Sequence, residues 1–313
     1  MRKFIIKFTL LAVVFAVVNL TLLLGVPQDK NAYLCEYNHK VFLLEHTPHP
    51  VVVFVGGSNV AFGNDSKTIS DSLGRPVVNF GLHGGIGVRY PLEDCLRYLR
   101  RGDVVVLQFE YDNYFSGGNG EPTTLPSLMI ATHWRNFSRL NARQRMNIVS
   151  GLVRKEIGNL ISLINYPVKR SFDTPVDGKK FVNAASGFND YGDEVSHFSF
   201  PSKTYHPTKE RETREVDLDF IGWLDKTLSH YEQRGIRFVM MPPACILSHY
   251  KASYNENITK ALDRIHRPYI TSPKDMALPD SCSFNTGYHL NREGCRQHSL
   301  NMIKWLKQAL KLP

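Results

Sequence analysis

The apolar and polar positions divide the chain into one uncharged opening run and a long region of short alternating elements. Arg2, Lys3 and Lys7 precede the run Phe8 to Val26, which holds no charge. That length matches the roughly 20 residues a helix needs to span the hydrocarbon core of a bilayer. Basic residues ahead of it predict a cytoplasmic amino end and an exported remainder. A cleaved signal peptide calls for a shorter apolar stretch, roughly 7–15 residues, closed by a small-x-small site. No Ala-x-Ala stands at Leu24-Gly25-Val26. Residues 1–27 are therefore expected to form an uncleaved single-pass anchor, with a cleaved signal peptide and a buried helix as the alternatives.

Residues 28–50 read as a polar connector with one apolar patch, Val41-Phe42-Leu43-Leu44. The pattern then changes. Val51 to Val55 is a continuous β-branched and aromatic run that ends in Gly56-Gly57-Ser58. Runs apolar on both faces fit strands of a parallel sheet covered by helices on each side. Further strands are predicted at Val77 to Phe80, at Val104 to Leu107 and at Ile236 to Met241, where Pro242-Pro243 stops the run. A shorter strand is expected near Tyr269-Ile270. Helices are expected over 65–73, 88–101, 216–233, 258–265 and 291–310. Strand, helix, strand with short links points to a right-handed parallel α/β sheet. Between about 116 and 216 the alternation breaks. Leu125 to Ile164 reads as mostly helical and 171–215 as polar and turn-rich, so this stretch is expected to be an insertion or cap on a domain spanning 51–313.

Composition narrows the class. With 313 residues, 42% hydrophobic and 21% charged, the chain suits a folded domain and excludes disorder, collagen and a polytopic membrane protein. Five cysteines are too sparse for a disulfide scaffold, and an odd count leaves at least one thiol unpaired within the chain. The formal charge of +9 has two readings: a generic solvated surface, favoured because the charges are scattered, or attraction to an anionic membrane face or acidic polysaccharide. No nucleic-acid motif accompanies it.

Ligands of open α/β sheets bind outside the carboxyl ends of the strands. Ser58-Asn59 follows the first strand, Asn79-Phe80-Gly81 closes the second, and Glu110, Asp112 and Asn113 follow the third. Thr286-Gly287-Tyr288-His289-Leu290-Asn291 precedes the last helix. A serine at a glycine turn, an amide or acid, and a late histidine form an acyl-transfer set: nucleophile, general base and oxyanion donors. Each part has a bland counterpart. Gly-Gly-Ser after a strand is usually a helix-capping turn, and His289 taken alone fits a satisfied histidine beside a helix start. The glycines at 81, 84, 85 and 87 match neither G-x-G-x-x-G nor a P-loop. Cys282 and Cys295 flank the histidine without metal-ligand spacing. No metal and no cofactor is called for. The Asn189 to Asp193 segment reads as a solvated loop in preference to a cation site, and the last helix as packing on the sheet through Ile303, Leu306 and Leu310.

The order of these blocks resembles the SGNH (GDSL-like) hydrolase superfamily. Val53 to Asn59 looks like its first block, Val78 to Gly81 its second, and His289 to Gly294 its last, so the resemblance spans Val51 to Leu310. It implies a three-layer, flavodoxin-like parallel sheet. It further implies Ser58 as nucleophile, His289 as base, and an oxyanion hole from Ser58, Gly81 and Asn113. Two departures stand out. The family's Asp-x-x-His has Thr286 at the aspartate position, which leaves a Ser58–His289 dyad, or an orienting partner among Thr286, Asn285, Asp280 and Glu110. The third block, Gly-x-Asn-Asp in the family, reads Glu110-Tyr111-Asp112-Asn113. The anchor and the insertion look nearest to membrane-anchored relatives of the alginate-acetylation and lipoteichoic-acid D-alanylation proteins. The resemblance thus implies an extracytoplasmic enzyme on the cytoplasmic membrane. It would move an acyl group, acetyl first, to or from a hydroxyl of a cell-envelope polysaccharide, and a separate multispan membrane protein would supply the donor. An esterase or lipase using water as acceptor is the first alternative, and a non-catalytic assembly or binding protein of the same fold the second. Trp134, Tyr191 and Tyr205 favour a glycan.

Overall fold

The computed structural model describes residues 1–25, 30–165, 182, 184–207 and 213–312; in the helices, the side chains of 12, 16, 18–25 and 155–165 also lie outside the description. Four apolar runs pair in parallel: β1 (Val52–Gly56), β2 (Val77–Asn79), β3 (Val104–Gln108) and β4 (Arg237–Met240). Their order is β2-β1-β3-β4. Val53 of β1 stands opposite Val78 on one side and Val105 on the other. The strand expected near Tyr269 is present as a parallel bridge to Met240.

Side chains alternate across a strand, and here both faces are buried. Val53, Val55, Val105 and Leu107 face one core, and Val52, Phe54, Val104 and Val106 the other. Each fully buried aliphatic side chain contributes about 1.5–3 kcal/mol, which is why the runs carry no polar alternation.

The helices are α1 (Arg2–Gly25), α2 (Glu36–His46), α3 (Ser58–Ala61), α4 (Ser66–Leu73), α5 (Arg89–Cys95), α6 (Tyr111–Phe115), α7 (Leu125–Ala131), α8 (Ala142–Asn165), α9 (Leu218–Glu232), α10 (Ala252–Arg264) and α11 (Arg292–Leu310). Residues of α2, α5, α9 and α10 fill the first core, and residues of α4 and α11 the second. The result is a three-layer α/β arrangement. Ile303, Leu306 and Leu310 of α11 lie against the sheet, as expected.

Several expectations change. The connector is part of the domain: α2 buries Tyr37, Val41 and Leu44 against β1 and β2 residues, while Gln28 and Asp29, at its start, lie outside the described residues. The helix expected over 88–101 stops at Cys95, where Arg97 and Tyr98 N–H bond three residues back, to Asp94 and Cys95 carbonyls, in tight turns. A two-residue parallel pair, β5 (Cys245–Ile246) with β6 (Ala277–Leu278), has no sequence signal because two residues carry no period. The first half of the insertion is helical as expected. Of its polar half, 166–181, 183 and 208–212 lie outside the described residues.

The Asn189 to Asp193 segment is not a solvated loop. Tyr191 O accepts from Asn79 N at 2.8 Å, so the segment docks on the edge of β2. Asp193 is buried and accepts from Ser66 N, Ser66 Oγ and Asn79 Nδ2 at 2.6–2.9 Å. The buried Lys40 ammonium donates to Asn79 O at 2.9 Å and to Gly192 O. Burial pulls its pKa down to about 8, against the pull of Glu36 and Asp193.

The described side chains of α1, including Phe4, Ile5, Phe8, Leu10, Leu11, Val13 and Val14, are exposed. Among the described residues no helix is long and apolar enough to cross a membrane. The side chains of 12, 16 and 18–25 fall outside the description, as does Val26.

Candidate active site

Strand order reverses around β1: its successor in the chain, β2, lies on one side and β3 on the other. The crevice between the carboxyl ends of β1 and β3 is the switch point at which such sheets bind ligands. Each end delivers one polar side chain to it. Ser58 opens α3 directly after β1, and Glu110 precedes α6 after β3.

The two meet. Ser58 Oγ donates to Glu110 Oε1 at 3.2 Å, and Asn59 N–H donates to the same oxygen at 3.0 Å. The Ser58 N–H also bears on this carboxylate. Asn59 ties the turn down by accepting from Gly57 N–H at 3.0 Å and donating to Gln108 O at 2.9 Å. The approach is close enough to require glycine: a Cβ on Gly57 would stand 2.5 Å from Glu110 Oε1, and one on Gly84 2.3 Å from Oε2. Burial raises the Glu110 carboxyl above the usual carboxylate range, opposed by the Asn59 and Ser58 hydrogen bonds.

His289 arrives from the loop before α11. A bridge between Ser283 and Leu290 closes that loop, Asn291 caps α11 by accepting from Gly294 N–H, and Leu290 N–H donates to Phe62 O at 3.3 Å. The imidazole stacks on Phe62, with ring centroids 4.2 Å apart and planes within 10°. Phe62 N–H in turn donates to Ser58 O at 2.8 Å. One helical turn therefore separates the histidine's stacking partner from the serine.

His289 Nδ1 lies 2.8 Å from Asn285 Oδ1. The amide oxygen accepts, so Nδ1 carries the proton and Nε2 keeps its lone pair. Nε2 makes no hydrogen bond among the described residues. Burial, then the nearby His197 and His83, lower the His289 pKa to about 3, so the ring is neutral at ordinary pH. This is the state a general base needs.

The expected residues divide accordingly. Asn285 orients His289. Thr286 holds the backbone of the turn, its Oγ1 accepting from His289 N–H at 3.0 Å and Tyr288 N–H at 3.2 Å. Asp280 accepts from Ser248 N–H and makes no bond to the histidine ring. Glu110 contacts the serine and not the histidine. Gly81 does not offer a free N–H, because that group donates to Asn79 Oδ1 at 3.0 Å. Asn113 is buried on α6 with no bond to Ser58, and its Oδ1 has no partner among the described residues. The side chain that β3 presents to the serine stands three residues earlier, at Glu110.

Sequence reasoning missed Phe62, Tyr33 and Tyr288. Phe62 had a signal, four residues beyond Ser58 on one helical face. Tyr33 had none: from the supposed connector, its hydroxyl reaches Leu82 O at 2.6 Å and its ring centroid lies 5.4–6.4 Å from those of Phe62, His83 and Phe188. Tyr288 OH accepts from Tyr111 N–H at 3.0 Å, beside Glu110. Trp134, Tyr191 and Tyr205 do not assemble into one surface. Trp134 packs on Phe137, Tyr205 bonds His249, and Tyr191 lines a groove with Asp71, Arg75 and Asp190. Among the described residues no group of three or more His, Cys, Asp or Glu is placed to hold a metal. Comparison with protein-family models, curated proteins and solved structures finds no match to this chain.

Proposed function

We propose that this protein is a serine-dependent acyl-transfer enzyme of the SGNH type. It moves an acyl group, acetyl in the first instance, to or from a hydroxyl of a cell-envelope polysaccharide. The observation that carries the reading is that Ser58 stands at the strand-order switch point one helical turn from Phe62, on whose ring a neutral His289 stacks. The Asn285 bond leaves the Nε2 lone pair of that histidine available.

The Ser58 oxygen attacks the acyl carbon, forming a C–O bond while its proton passes to His289 Nε2. Collapse of the tetrahedral intermediate breaks the bond to the leaving oxygen, which takes that proton. The acceptor hydroxyl then repeats the sequence in reverse, losing its proton to His289 and releasing Ser58. Charge develops on the acyl oxygen near the Ser58 and Asn59 N–H groups, which the Glu110 carboxylate engages at rest. Glu110, whose burial favours its neutral form, then donates to that oxygen where an ionised carboxylate would repel it.

The uncharged run after Arg2, Lys3 and Lys7 supports a single-pass anchor in the cytoplasmic membrane with the α/β domain outside. The exposed apolar side chains of α1 agree with an apolar surrounding. A separate multispan protein would bring the donor. A second reading, a non-catalytic binding protein of this fold, draws on the Ser58 hydroxyl being engaged by Glu110 and not by His289.

The full chain in detergent micelles, given p-nitrophenyl acetate with and without an oligosaccharide, tests both. Ester turnover abolished in Ser58→Ala and His289→Ala supports the enzyme. Acetylated sugar among the products supports transfer, and free acetate alone supports an esterase with water as acceptor. Equal inertness of wild type and variants, all folded, moves the assignment to the binding protein.

A further inference from the structure

Behind His289 lies a second histidine that the proposed chemistry does not use. His197, from the docked half of the insertion, is 1% exposed, and so is Glu194 three residues before it. His197 Nδ1 bonds Glu194 Oε2, and its Nε2 lies 2.8 Å from Leu290 O. A carbonyl only accepts, so Nε2 donates to Leu290 O, and the Glu194 carboxyl holds the other ring nitrogen. Turning the ring over would set C–H groups against both acceptors, which fixes its orientation. Glu194 is itself anchored: its N–H donates to Ala61 O at 2.9 Å, inside α3, and its Oε1 accepts from Ser196 N–H at 3.1 Å.

Two of the groups His197 touches also hold His289 in place. Leu290 follows His289 in the chain, and its carbonyl takes the His197 hydrogen bond. Phe62, the ring on which His289 stacks, also packs against His197, with centroids 5.1 Å apart and planes at 46°. The pair thus links α3, which carries Ser58, to the loop that carries His289. We propose that Glu194 and His197 are positioning residues that set the aim of His289 at Ser58 through Leu290 and Phe62. The inference rests on the acyl-transfer reading for its purpose but not for its test.

The test uses the full chain in micelles with carbon-13-labelled histidine, and assigns the His289 ring signal by its loss in His289→Ala. A misplacement of about 1 Å at a reacting group costs roughly 10²-fold in rate. His197→Ala is expected to shift the His289 resonance and to lower kcat on p-nitrophenyl acetate by roughly 10²-fold with KM within about twofold. His197→Gln can still donate an amide N–H to Leu290 O, and is expected to recover kcat to within roughly 10-fold and to return the resonance towards its wild-type position. An unmoved His289 resonance in folded His197→Ala overturns the proposal. So does a kcat loss that His197→Gln fails to recover and that tracks Tm alone, which is what a purely structural role produces. If wild type turns over no ester, the acyl-transfer reading fails, while the resonance comparison still decides the positioning role.

Discussion

Ser58 gives its hydroxyl hydrogen bond to Glu110, 3.2 Å away, while His289 keeps Nε2 free of any hydrogen bond among the described residues. The carboxylate therefore sits on the Asn59 N–H and near the Ser58 N–H, donors that acyl transfer needs for its own developing oxyanion. A single oxyanion donor contributes roughly 10²–10³ in kcat, so under the proposed acyl transfer the charge on Glu110 sets whether those donors are open.

Glu110→Gln tests this directly. The amide oxygen can still accept from Ser58 and Asn59, and the charge is gone. Wild-type turnover is expected to fall as pH rises through the raised pKa of Glu110, because the neutral acid is the competent form. Glu110→Gln is expected to remove that fall and to exceed wild type on its alkaline side, as read from kcat/KM profiles. A variant inert at every pH would instead make Glu110 the base. Stability follows the same sign. A carboxyl whose folded pKa is raised contributes stability that is full below its unfolded value and is lost as pH rises through its folded value. The Tm gain of Glu110→Gln over wild type should accordingly grow as pH rises above the unfolded carboxyl value of about 4.3 and vanish below it.

His289 holds a pKa of about 3 because burial and two other imidazoles disfavour its charged form and a neutral amide at Nδ1 does not oppose them. Wild type is expected to show no acid limb from this group above about pH 5, since the histidine is unprotonated there. Asn285→Asp sets a carboxylate beside Nδ1, raises the pKa and brings an acid limb into the kcat/KM profile. Asn285→Ala frees the ring to change tautomer and is expected to cost roughly 10²-fold in kcat, less than the roughly 10⁴ of a mis-set tautomer in a full triad. Superimposable profiles for wild type and Asn285→Asp would remove Asn285 from the site.

Lys40 joins β2 to the docked segment through Asn79 O and Gly192 O. Lys40→Met leaves both carbonyls unpaired at about 1–3 kcal/mol each. Taking about 2–4 °C per kcal/mol, Tm should fall by at least about 4 °C. A lysine whose folded pKa is lowered to about 8 binds its proton less tightly in the native state, so its contribution grows as pH rises from about 8 towards 10.4. The Tm gap between wild type and Lys40→Met should widen over that window. A gap that narrows contradicts the buried ammonium.

The strands and the Ser58 to His289 order were legible because both are local. Four runs of four to six residues each satisfy a two-sided apolar environment with no help from distant sequence, and a serine or histidine at a run's end can be named at once. Asn285 was legible too, as one of four candidate partners, since a residue four positions before the histidine on a closed loop is within reach of its ring. Asn113 and Gly81 went astray for opposite reasons. Counting along the chain placed an amide where β3's exit angle delivers Glu110, and an N–H that a family pattern leaves open is closed here by the side chain of Asn79 two residues earlier.

By itself the sequence determined where the chain forms strands and helices and which side chains stand at their ends, because those follow from local apolar periodicity and turn chemistry. Only the tertiary structure decided what those side chains meet. Glu110 finds Ser58 across 52 residues, Lys40 finds Gly192 across 152, and His197 finds Leu290 across 93. Contacts over such spans depend on how the layers close on each other, and a buried donor or acceptor takes whichever partner that closure puts within 3 Å. No spacing along the chain encodes that choice.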